Sequence, residues 1–149
     1  MRRVLVSGTL GLVLLTAACS GGADGAPGPA PTADLDAESE RIVAELAALD
    51  AVTSADVRLR TGANAGRQVT IDAVTSATDG GAQREVLEAV TEAGWHTTAF
   101  VPTEVRTTVV GPDGETLDPR DLGFPRRGAD AAGLYARFGA PAADEDWQP

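Results

Sequence analysis

Few residues of this chain are equipped for covalent or acid–base chemistry. There is one cysteine, Cys19, one histidine, His96, and no lysine among 149 residues. One thiol cannot close a disulfide within the chain, and one thiol with one imidazole falls short of a zinc finger or ribbon. Without lysine there is no Schiff base and no P-loop lysine. His96 is the one side chain whose ordinary pKa lies near neutrality. It follows Trp95 where a strand is expected to begin, so its ordinary reading is an unreactive sheet residue. A Ser-His-Asp triad would bring one of Ser20, Ser39, Ser54 or Ser76 beside it, and none of these stands in a nucleophile elbow. Carboxylate pairs such as Asp72 with Glu85 could do acid–base work, but no spacing singles one out. The expectation is a non-catalytic protein with no catalytic, cofactor-binding or metal-ligating residue and no cofactor. A small envelope hydrolase built on His96 is the alternative.

Cys19 has a more definite context. Met1-Arg2-Arg3 is a positive start, Val4 to Leu15 is a short apolar run, and small residues Thr16-Ala17-Ala18 precede the cysteine. These are the parts of an export signal. The run is too short for a transmembrane helix, which needs about 20 apolar residues to cross ~30 Å of hydrocarbon. Leu15-Thr16-Ala17-Ala18-Cys19 resembles the lipobox of bacterial lipoproteins, with Thr16 standing where that family usually has leucine. The resemblance implies a signal peptide over residues 1–18, cut before Cys19. It also implies a diacylglyceryl group on the Cys19 thiol, acylation such as palmitate on the new α-amine, and anchorage on the extracytoplasmic face of the cell membrane. At ~0.8 kcal/mol per buried methylene, two or three acyl chains anchor durably.

Charge fits a domain that stands away from the bilayer. Twelve basic side chains meet 22 acidic ones, for a formal charge of −10 and a pI near 4.4. Cleavage would remove Arg2 and Arg3 and deepen the imbalance. Such a surface is repelled by anionic headgroups, and nucleic acid, which needs a basic surface, is not an expected partner. Residues 19–35 are rich in Gly, then carry Pro27, Pro29 and Pro31. That composition predicts a flexible linker with an extended polyproline portion.

The elements that would position any site begin near Asp36. Ile42, Val43, Leu46 and Leu49 recur at i, i+1, i+4 and i+7, which predicts an amphipathic helix over 37–49. Asp34, Asp36, Glu38 and Glu40 crowd its start. A calcium site is one reading, but helical spacing splays the carboxylates and the EF-hand glycine is missing, so they are read as complementing the helix dipole. Ala55, Val57 and Leu59 alternate with Asp56, Arg58 and Arg60, and Gln68 to Val74 alternates again after a Gly- and Asn-containing turn. A hairpin is expected. Arg58, Arg60 and Arg67 are an anion site or, more simply, its solvated face.

Thr78-Asp79-Gly80-Gly81 then opens a second helix over 82–93. Its stripe of Val86, Leu87, Val90 and Ala93 repeats that of the first helix, with Gly94 placed for a left-handed cap. His96–Val101 and Val105–Val110 read as two further strands. Asp118-Pro119-Arg120-Asp121 and Phe124-Pro125-Arg126-Arg127 read as loops, followed by a short helix within Ala129–Phe138.

The expected fold is α+β: a two-layer sandwich, order α-β-β-α-β-β, with two helices on one face of an antiparallel sheet. The domain would span 36–118, followed by an irregular C-terminal tail over 119–149. Ile42–Leu46, Val57–Leu59, Val69–Ile71 and Val86–Val90 give the chain a loose likeness to BON-domain envelope modules, although their glycine-valine signature is missing. That likeness implies binding of lipid or wall polymer. The function expected is therefore a membrane-anchored envelope lipoprotein acting as a binding or accessory module, with an envelope protein or polymer as partner.

Overall fold

Asp34 starts the first helix by accepting a hydrogen bond from the Ala37 amide at 3.1 Å, which satisfies one of the donors a helix leaves open. The computed structural model describes residues 34–64 and 66–149, so Cys19, the lipobox and nearly all of the linker lie outside the described residues. Helix α1 runs over Leu35–Ala47 and buries Ile42 and Leu46. Strands β1 (Val52–Gly62) and β2 (Gly66–Thr75) form the expected antiparallel hairpin, with Val57 opposite Ile71 and Leu59 opposite Val69. Asp79 then caps α2 (Gly80–Trp95), accepting from the Ala82 amide at 2.9 Å.

The next element differs from the expected antiparallel layout. His96–Val101 is not a strand, and β3 (Glu104–Val110) pairs with β2 in parallel, Val69 opposite Val105 and Ile71 opposite Thr107. The unit β2-α2-β3 is thus a crossover, the connection that parallel neighbours require. In the 96–101 stretch Thr97, Phe100 and Val101 are buried within an irregular segment. Its amide at Thr98 bonds a side chain, the Glu38 carboxylate, at 2.6 Å.

Beyond Leu117 the chain is more ordered than expected. Strand β4 (Thr116–Leu117) and strand β5 (Gly128–Asp130) pair antiparallel with different parts of β3, completing a mixed five-stranded sheet. A 3-10 turn over Pro119–Leu122 lies between them, and α3 (Ala131–Phe138) follows. Leu122, Phe124, Ala129 and Leu134 all enter the main core. Trp147 packs edge-on to both Trp95 and Tyr135, at 5.7 and 5.9 Å between ring centres. The Trp95 indole donates to the Gly139 carbonyl at 2.9 Å. A fully buried Trp needs such a partner, and only the C-terminal segment supplies it. The architecture is α+β, with a mixed sheet and three helices.

Gly94 has a different role from the left-handed cap expected of it. It lies inside α2, and the cap is His96 with φ −87°. A β-carbon on Gly94 would stand 2.9 Å from Val105 Cγ1 and 3.2 Å from Ile71 Cδ1. The glycine lets the helix approach β2 and β3 closely. A G94V chain should lose about 1–3 kcal/mol of stability through overpacking, read as a lower urea midpoint with the slope unchanged.

The acidic residues at the start of α1 serve structure. Glu38 is buried, and Arg41 donates to both of its oxygens at 2.9 Å. Thr97 Oγ1 and Thr98 Oγ1 add bonds at 2.8 and 2.9 Å. The Arg41 hydrogen bonds, opposed by burial and helped by the Thr98 amide and the two hydroxyls, lower the Glu38 pKa from 4.5 to about 2. A carboxylate depressed on folding stabilises the native state above its unfolded pKa. That contribution, on the order of 2–3 kcal/mol, is lost as the pH falls from about 5 toward 2. An E38Q chain should have a lower urea midpoint at pH 7 and a shallower loss of stability between pH 5 and 2.5 than the parent.

Candidate functional site

Among the described residues, the three helices leave one face of the sheet bare. Strand alternation sends Val57, Ile71, Val105 and Val109 into the core and turns their neighbours outward. The registers align these neighbours in a row: Arg58 opposite Thr70, Thr70 opposite Arg106, and Arg106 opposite Gly128. With strands about 4.8 Å apart, Arg58 and Arg106 stand about 10 Å apart across the sheet. On either side of this row run Asp56, Asp72 and Thr108, and Arg60, Gln68, Glu104 and Asp130.

The loop before β5 folds against the end of this row. Asp118 organises it through a capping box with Asp121, Pro119 opens the turn, and Gly123 closes it at φ 91°. The Asp118 carboxylate accepts from Arg120 Nε at 2.9 Å and Nη2 at 2.6 Å, and lies 3.4 Å from Arg127 Nε. The Arg120 side chain holds this carboxyl below its usual pKa, against the opposing effect of burial. Glu104 does similar work nearby, forming an ion pair with Arg106 Nε at 3.1 Å and accepting from Gln68 Nε2 at 2.9 Å. Gly128 leaves space for it: a β-carbon there would overlap the Glu104 side chain.

Between these groups lies an open groove of about 610 Å³. Arg106, Arg120, Arg126 and Arg127 line it with Glu104, Asp118, Thr70, Thr108 and Thr116. Four of the chain's 12 basic side chains and only two of its 22 acidic ones are there. A strongly acidic protein thus presents a locally positive surface. The groove itself carries more positive than negative side chains, and within a Debye length of about 8–10 Å such nearby charges count most. Guanidiniums offer forked donors to oxyanions, and no aromatic side chain lines the groove to stack a ring.

The residues singled out from sequence are dispersed. His96 shares a separate groove of about 290 Å³ with Glu45, Leu46, Leu49, Ala89, Glu92 and Ala93. Ser39, Ser54 and Ser76 are not among that lining, and Ser39 donates to the Leu35 carbonyl at 2.8 Å. Asp72 pairs with Arg58 on the bare face, whereas Glu85 belongs to α2 on the opposite side. Arg58 and Arg60 share the bare face, and Arg67 is one residue out of phase with them. Among the described residues, no group of three His, Cys, Asp or Glu could hold a metal, and no helix is long and apolar enough to cross a membrane. The sequence reading passed over Arg106, Arg120, Arg126 and Arg127, which became visible only when β5 paired with β3. No protein-family model, no curated protein and no solved structure matches the chain.

Asp118 is the groove's structural centre. A D118A chain should be destabilised by about 1–3 kcal/mol in urea unfolding, mainly through the lost cap and half-buried hydrogen bonds. The exposed guanidiniums add little to that figure.

Proposed function

We propose that this protein is a lipid-anchored module of the cell envelope that binds a partner through the bare face of its sheet without transforming it. The signal and lipobox at Leu15–Cys19 support the anchor, placing the domain on the extracytoplasmic face of the membrane. Partner binding rests on one observation: a chain of formal charge −10 gathers four arginines in the groove over β2, β3 and β5. Exposed polar sheet faces need no such concentration of one charge for solubility, because interspersed signs serve that purpose. The partner in this reading is an envelope protein or polymer that meets the face at the distance the residue 19–35 linker allows.

Intact-mass measurement of the membrane-extracted protein tests the anchor. The mass should equal that of the chain from Cys19 plus two or three acyl chains, and C19A should leave the membrane fraction. An unprocessed leader or an unmodified Cys19 in freely diffusing protein would contradict it.

A further inference from the structure

Resting on the reading of the bare face as a binding surface, we infer that its ligand is a linear polymer carrying repeated oxyanions, phosphate or carboxylate. Three observations converge on this class. Arg58 and Arg106 lie in one cross-strand row with Thr70 between them, and the row ends at Gly128 beside Arg126 and Arg127. The groove beyond Arg106 adds Arg120, so cationic donors recur along a path crossing the sheet. Four of these guanidiniums are held in place by carboxylates: Arg58 by Asp56 and Asp72, Arg106 by Glu104, and Arg120 and Arg127 by Asp118. Arg126 has no ion-pair partner among the described residues.

A single small anion would meet one guanidinium or a neighbouring pair and leave the rest unused. Repeated charges on one chain engage successive guanidiniums, each later contact being intramolecular and correspondingly favoured. The held arginines lose little side-chain freedom on binding, and each has donors left after its carboxylate contact. Thr70, Thr108 and Thr116 supply hydroxyls along the floor, suited to bridging oxygens or sugar hydroxyls. The Glu104 and Asp118 carboxylates, with Asp56 and Asp72 beside Arg58, flank the path and penalise polymers of close, unbroken charge, so spaced oxyanions suit the face best.

Isothermal titration of the full-length protein in neutral detergent, at 50 mM salt, tests this with four probes: polyphosphate, polygalacturonate, inorganic phosphate and neutral dextran. At least one polyanion should bind, at least tenfold more tightly than inorganic phosphate, with affinity falling as salt rises. R106A and R126A should each weaken it at least fivefold, whereas R84A, at an exposed position of α2 away from the groove, should not. Whichever polyanion binds tells phosphate from carboxylate recognition. Failure of both polyanions, equal binding of dextran, or equal loss in R84A would overturn the inference. The assay does not depend on the lipid, so these failures are distinct from loss of the anchor, which the mass of Cys19 reports.

Discussion

One constraint shapes this molecule: its sheet is covered on a single side. The parallel pairing of β2 with β3 obliges the chain to cross over through α2, and Gly94 allows that helix to settle directly on the strands. Helix α1 joins the same layer through Ile42 and Leu46, and α3 extends it. With every helix on one side, the other face of each strand must meet solvent. What the sequence places there then decides what the protein can recognise.

The helical layer is secured by polar contacts at its periphery. The Glu38 carboxylate joins the start of α1 to the irregular segment after α2, satisfying backbone and hydroxyl donors that no strand partners. An unpaired buried carboxylate would cost several kcal/mol; Arg41 and the threonines turn it into a tie. Trp95, the last residue of α2, draws in the C-terminal segment through the Gly139 carbonyl and the Trp147 ring. The arginine-bearing loop is fixed by Asp118 and by the short pairing of β5.

Much of this was legible in the sequence where the pattern is local. Apolar spacing located α1 and α2 to within about two residues, and alternation located β1, β2 and β3. Non-local choices were not legible. Parallel and antiparallel strands share the same alternation, and the 96–101 stretch, with its Thr, Phe and Val, has the composition of a strand although it folds as an irregular segment. The C-terminal segment is too short in each element to show a period, so nothing in the sequence marks Gly128–Asp130 as a strand, and Ala129 and Asp130 fall within the stretch expected to hold a short helix. The groove suffered most from this. Arg58 and Arg60 were visible as a wet face, but Arg106, Arg120, Arg126 and Arg127 join it only through long-range pairing, which leaves no signal in spacing. Of the serines weighed beside His96, Ser39, Ser54 and Ser76 do not line its groove, and Ser20 lies outside the described residues.

The account depends on the bare face being the surface that meets a partner. Amide chemical shifts of the labelled full-length protein during titration with whichever polyanion binds test this directly. The prediction is that perturbations cluster at Thr70, Arg106, Thr108, Thr116 and Arg126–Gly128, with α1 and α2 unmoved. Perturbations centred on the helical layer, or around His96, would contradict it.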